Sequence, residues 1–249
     1  MCGRFTLRTS LADLRQLFLP QDDPNVFSAA VDSVLNRPRY NIAPTQSVAV
    51  IRQLDGNSPE FAAMRWGFIP SWAEDVAIGA RMINARSETI DQKRSFQNAF
   101  QNQRCLIPAD GYFEWQKVGS AKQPYYLHQP DHTPFAMAGL WERNTKASDD
   151  ASPIASFTVI TTAANSVTGK VHDRMPVILD QKDFQAWLDP NFHDTSSLKK
   201  HLTAAADDFF EITAVSRRVN HVGNDDSGCI EPVAPQPQSP KTTQATLFD

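Results

Sequence analysis

Apolar positions in this chain recur in short β-like runs, with few long helical stripes. Ser47–Leu54, Glu60–Trp66, Arg104–Ile107, Tyr112–Gln116, Tyr125–His128, Phe135–Trp141 and Phe157–Thr162, with a late run at Phe209–Val215, are rich in Val, Ile, Phe, Tyr and Thr. Pro, Gly and Asp-Gly punctuate them, which predicts β-strands joined by tight connections. Leu11, Leu14, Leu17 and Phe18 fall at helical spacing behind Ser10-Leu11-Ala12-Asp13, which resembles a capping box with Asp in place of Glu. Further helices are predicted over Gln92–Asn102, Gln181–Leu188 and Ser196–Ala204. Many short strands with few helices predict an α+β fold of mainly antiparallel, barrel-like sheet with a few flanking helices. There is no internal repeat and no G-x-G-x-x-G or G-x-x-x-x-G-K loop, which disfavours dinucleotide and P-loop chemistry.

These runs stop before Pro232, where the composition changes. Residues 233–249 are rich in Pro, Gln and Thr and cannot build a core, so one globular domain is expected over 1–232, followed by a flexible tail. The tail closes on Gln244-Ala245-Thr246-Leu247-Phe248-Asp249. This is similar to the Q-x-x-L-F peptides that dock on the bacterial replicative sliding clamp, with Gln244, Leu247 and Phe248 as the expected anchors.

Composition narrows the classes. With 249 residues, 41% of them hydrophobic, the chain can bury one sizeable core and is expected to be a monomer. The net charge of -4 means that any nucleic-acid contact must rest on local positive potential, and the arginines do concentrate in the first half of the chain. Cys2, Cys105 and Cys229 lie far apart with no metal-ligand spacing to the six histidines, so neither metal nor cofactor is expected. Sparse cysteine, the absence of an apolar leader in MCGRFTLRTS and the absence of a bilayer-length apolar run predict a cytoplasmic protein without membrane contact.

Chemistry enters at Cys2. Once Met1 is removed, that residue carries an α-amine and a thiol on one frame. An α-amine has a pKa of about 7.7–8.0 against about 10.4 for lysine, so at neutral pH it is far more nucleophilic. It condenses with an aldehyde to an imine, and the thiol then closes a five-membered thiazolidine. Four segments stand out beside it. Asn84 and Arg86 would share one face of a strand. Glu114 sits among aromatics that raise a carboxyl pKa and suit it to proton transfer. His172-Asp173-Arg174 gathers three polar groups. Arg65–Trp72 interleaves arginine, glycine and aromatics in a way that suits single-stranded nucleic acid. Singly, each has an ordinary reading: core aromatics, a surface Asp173–Arg174 ion pair, a satisfied His172.

Together they form an ordered set: Met-Cys-Gly-Arg-Phe at the start, Arg-Tyr-Asn-Ile-Ala-Pro over Arg39 to Pro44, Trp-Gly-Phe-Ile-Pro-Ser-Trp, Ile-Asn-Ala-Arg-Ser-Glu, Cys-Leu-Ile-Pro-Ala-Asp-Gly-Tyr-Phe-Glu-Trp and His-Asp-Arg-Met-Pro. From Met1 to about Pro232 the chain resembles the SOS-response-associated peptidase (SRAP) family. The resemblance implies an abasic-site processing protein of the DNA damage response that binds single-stranded DNA and crosslinks Cys2 to the ring-opened sugar. It implies Asn84 beside the linkage, Arg86 on a phosphate, Glu114 moving protons and His172 assisting ring opening. Arg4, Asn41, Pro44, Trp72 and Thr162, with Arg174, are the expected DNA groove. At Ser71-Trp72 some relatives carry two adjacent tryptophans, which puts the base-stacking contacts in question. Two other readings stand beside this one: an N-terminal-cysteine peptidase with self-processing activity, and an abasic-site lyase acting through the imine.

Overall fold

The computed structural model describes residues 2–20, 29–148 and 152–235. Along these the chain forms β1 (Phe5–Leu7), α1 (Leu11–Phe18), α2 (Ala29–Leu35), β2 (Arg39–Ile42), β3 (Ser47–Arg52), β4 (Glu60–Trp66), β5 (Asn84–Arg86), α3 (Arg94–Asn102), β6 (Arg104–Ala109), β7 (Gly111–Val118), β8 (Ala121–His128), β9 (Phe135–Asn144), β10 (Ile154–Ala163), β11 (Arg174–Pro176), β12 (Ile178–Leu179), α4 (Phe184–Leu188), α5 (Thr195–Lys200) and β13 (Glu211–Ala214).

Five of these strands close into a barrel. β3 pairs antiparallel with β4 and β6, β6 with β9, and β9 with β10. β10 then returns to β4 in parallel, with Ser156 opposite Arg65 and Phe157 opposite Trp66. Val50, Trp66, Leu106, Met137 and Phe157 belong to the buried core this closure creates. Gly139 faces Cys105 on one side and Val159 on the other. A Cβ there would lie 2.3 Å from Ile107 Cδ1 and 2.8 Å from the Thr158 carbonyl, so the close approach requires glycine. The chain leaves β4 through Gly67, whose φ of 121° only glycine adopts readily. It comes back beside β10 as β5, again in parallel, with Thr161 opposite Arg86. The antiparallel expectation therefore holds except at β10, where all the parallel pairing among the described residues is found.

The second sheet runs β13-β8-β7-β1-β2 and is antiparallel throughout. β1 is an interior strand: Phe5 pairs with Ile42 on one side and with Tyr112 on the other. The barrel strand β6 continues into β7 through Asp110. Its amide donates to the Thr6 carbonyl at 2.9 Å. Its buried carboxylate accepts from the amides of Arg8 and Thr9 and from the Thr9 hydroxyl, which pins the end of β1. Arg104, 1% exposed at the start of β6, donates to the carbonyls of Phe100, Gln101, Trp187, Asp189 and Phe192, tying α3 to the end of α4.

Ser10 caps α1 as its sequence implies, its hydroxyl accepting from the Asp13 amide at 3.2 Å. The run at 181–188 splits into a 3-10 turn at Gln181–Asp183 and α4, and α5 ends at Lys200 instead of Ala204. α2, β1, β2, β11 and β12 go unannounced in the pattern, being too short for a period to show. Val215 bridges to Pro232 near the end of the described chain. Gln244, Leu247 and Phe248 lie outside the described residues. No helix among those described is long and apolar enough to cross a membrane.

Candidate functional site

The interior placement of β1 builds the site. The Phe113 amide donates to the Arg4 carbonyl at 2.9 Å, so the residues ahead of β1 continue alongside β7. Cys2 is thereby carried to 0% exposure. Asn84, the first residue of β5, donates its Nδ2 to the Cys2 carbonyl at 2.9 Å. Cys2 therefore lies where the second sheet meets the barrel.

Strand alternation on β7 sends Tyr112 and Glu114 to one face and Phe113 and Trp115 to the other. Burial pushes the Glu114 carboxyl above the usual carboxylate range, against the opposing pull of positive charge that includes His172. Burial, and then the Glu114 charge, push the Cys2 thiol far up. The Tyr112 hydroxyl is raised by burial and then by Cys2 and Glu114. Electrostatic influence this mutual requires one cluster. His172 Nδ1 lies 3.0 Å from the Arg174 amide nitrogen and 2.9 Å from Asp173 Oδ1. The amide is a fixed donor, so Nδ1 accepts from it. Glu114, Trp115, Lys122, His172 and Asn220 line an open cleft over the cluster, with Trp115 Nε1 donating to Asn220 Oδ1 at 2.7 Å.

The expected groove residues divide into two groups. Arg86 is exposed at the end of β5, beside buried Thr162 on β10. Pro44 is half-buried two residues beyond Ile42, the partner of Phe5. Arg174 on β11 is engaged within the protein: both guanidinium nitrogens pair with Glu88, and Nη2 donates to the Thr161 carbonyl at 2.6 Å. Glu88, not Asp173, is thus its ion-pair partner. Arg4 Nη1 donates to Asn41 Oδ1 and to the Val219 carbonyl, each at 2.8 Å. Asn41 is 0% exposed, its amide group spent on the carbonyls of Val219, His221 and Asn224. These two knit β1 and β2 to the turn that carries Asn220. Trp72, 49% exposed, sits on a turn braced by Asn144 from the far end of β9. That places it toward the end of β10 remote from Thr162. Trp66 and Phe68, read from sequence as stacking candidates, are fully buried; Trp66 packs edge-on against Phe5 at 5.1 Å and belongs to the core.

Sequence reasoning missed Tyr112, Lys122 and Asn220 as members of this region. Alternation with Glu114 on β7 points to Tyr112. Lys122 arrives by the short β7–β8 hairpin, opposite Lys117, whereas Asn220 arrives from about a hundred residues away and leaves no local signal. Among the described residues no group of three or more His, Cys, Asp and Glu is placed to hold a metal.

A family model described as SOS response associated peptidase (SRAP) matches residues 1–222. The abasic site processing protein YoqW of Bacillus subtilis is 37% identical over 238 residues, covering 93% of this chain and 99% of its own. The abasic site processing protein YedK of Escherichia coli is 30% identical, covering 94% and 100%. A crystal structure from Bacteroides thetaiotaomicron superposes with a TM-score of 0.81 over 94% of this chain and 100% of its own, at 24% identity, and shares the fold.

Proposed function

The chain belongs to the SOS response associated peptidase (SRAP) family, and on that premise we propose that it processes abasic sites in single-stranded DNA by covalent capture on Cys2. The relatives YoqW and YedK are named abasic site processing proteins. The observation that carries the reading is the gathering of Cys2, Asn84 and Glu114 under a cleft lined by His172.

With Met1 removed, the Cys2 amine is the first nucleophile. The thiol is held protonated by its burial, so the order is amine and then sulfur. An abasic sugar exchanges between a closed hemiacetal and a minor open aldehyde. His172 assists opening by general acid–base catalysis, an effect typically worth about 10²–10⁴-fold. The amine adds to the aldehyde carbon and loses a proton, and the departing hydroxyl leaves as water. Glu114, whose environment favours the protonated form without forbidding the ionised one, supplies and accepts these protons. Asn84 holds the Cys2 carbonyl and fixes the direction of approach. The thiol closes the thiazolidine, which consumes the imine and suppresses β-elimination. Arg86 contacts a phosphate and Trp72 offers a stacking face.

Intact mass after incubation with an abasic single-stranded oligonucleotide tests the reading, because it registers both loss of Met1 and the adduct. Cys2→Ala abolishes a heat-stable adduct, and Cys2→Ser leaves at most an imine that borohydride traps. A Cys2→Ala protein that still forms the heat-stable adduct overturns it. The C-terminal peptide adds a second partner, the replicative sliding clamp; deletion of the last six residues should abolish co-purification with it.

A further inference from the structure

Tyr112 holds a polar group that the chemistry above leaves unused. The residue is 0% exposed and its ring packs edge-on against Phe210 at 5.3 Å. Its hydroxyl is buried without a hydrogen-bond partner. A buried hydroxyl left so costs free energy, and an aromatic residue without one would fill the same space at no such cost. Tyr112 stands two residues before Glu114, so both side chains leave the same face of β7. That face is the one near Cys2, whose charge, with that of Glu114, acts on the Tyr112 hydroxyl, whereas Phe113 packs in a separate cluster. Burial also keeps the phenol protonated, which makes it a constant donor.

We propose that the Tyr112 hydroxyl donates a hydrogen bond to the Cys2 sulfur as that atom gains negative charge, making it a catalytic residue for closing and reopening the thiazolidine. This deepens the reading of Cys2 as the capturing residue and rests on it. In closure, a sulfur lone pair forms the C–S bond at the protonated imine carbon. The C=N π pair returns to nitrogen, and the thiol proton passes to the Glu114 carboxylate. In reopening, the nitrogen lone pair expels sulfur, the C–S bond breaks, and the sulfur regains a proton from Glu114. Sulfur carries partial negative charge in both directions, and the hydroxyl offsets it. Condensation of the amine with the aldehyde does not involve sulfur and is indifferent to Tyr112.

Tyr112→Phe removes the hydroxyl and keeps the ring. Wild type and variant are mixed with a single-stranded oligonucleotide bearing one abasic site. Aliquots are quenched with borohydride, which captures imine, or with heat, which leaves only closed product. The variant should capture DNA at the wild-type rate yet convert it to heat-stable product roughly tenfold more slowly, the size expected for one hydrogen bond to a charged atom. Imine accumulates meanwhile, release from preformed crosslink slows by a similar factor, and Tm does not fall. In a Cys2→Ser background the same substitution should change nothing. Wild-type closure by Tyr112→Phe overturns the proposal, as does an equal loss of capture and closure with a lowered Tm, which would mark the hydroxyl as structural. If wild type itself gives no heat-stable adduct, the capture reading has failed, and that outcome is distinct from either of these.

Discussion

The proton-transfer role proposed for Glu114 places a carboxyl where its burial works against stability. Burial raises its pKa in the folded chain, so folding is favoured while the group is protonated, and that advantage is lost as pH rises through the raised value. Above the ordinary carboxylate range the wild type bears a cost on folding, either in burying the ionised acid or in taking up a proton. Glu114→Gln should therefore raise Tm at pH 7.5 by about 2–4 °C, with the gain shrinking as pH falls toward the ordinary carboxylate range. The same variant should slow crosslink formation by about 10²-fold or more, since it can neither take nor give a proton. Thermal melts at several pH values and a crosslinking time course check the two halves. Asp110 behaves in the opposite way. Its carboxylate satisfies the Arg8 and Thr9 amides and the Thr9 hydroxyl. Asp110→Asn should cost about 1.5–3 kcal/mol, read as a Tm lower by roughly 4–10 °C. A carboxyl set among Tyr112, Phe113 and Trp115 is legible in the sequence as a raised one. The anchoring role of Asp110 is not, because its partners just past β1 lie about a hundred residues earlier.

Among the elements, β5, β10 and β11 form one ladder that ends beside the cleft. Two arginines stand on its ends with different tasks. Arg86 is exposed, whereas Arg174 staples β11 to Thr161 and to Glu88 just past β5. Arg86→Ala should lower the salt slope of single-stranded DNA binding by about 0.7, the loss of one phosphate contact, with little change in Tm. Arg174→Ala should change Tm more than the slope. Binding isotherms at several salt concentrations, paired with melts, separate the two. Gly139 is the tightest point of barrel closure, and Gly139→Val should lower Tm by more than about 10 °C or prevent folding, since the clash involves backbone on β10 as well as side chain on β6. The long strands were readable as runs of six or more residues rich in apolar, aromatic and β-branched side chains, buried almost throughout in β6, β9 and β10; β4 was bounded as predicted. β1, β2, β5 and β11 have three or four residues each, too few for a period. For β5 the cue was chemical, Asn84 and Arg86 two apart.

At the scale of the whole molecule, the barrel-like reading follows from many short strands, but closure through parallel β4–β10 pairing joins segments about ninety residues apart and is invisible to any window. Arg4 and Val219 meet across 215 residues in the same way. The motifs nominated the candidate reacting residues; only folding reveals that Arg4 and Asn41 are committed to holding the turn around Asn220 against β1 and β2. A net charge of -4 keeps general attraction to DNA weak, so affinity for intact single strands should collapse between 50 and 200 mM salt while the covalent adduct, once formed, persists. Gel shifts with and without denaturant would register that contrast. Finally, β1 runs between β2 and β7 and delivers Cys2 into the interior. For anyone handling the protein, this bears on where a purification handle goes: residues fused ahead of Cys2 would convert into an amide the α-amine that the proposed capture needs, so affinity tags belong at the other end of the chain.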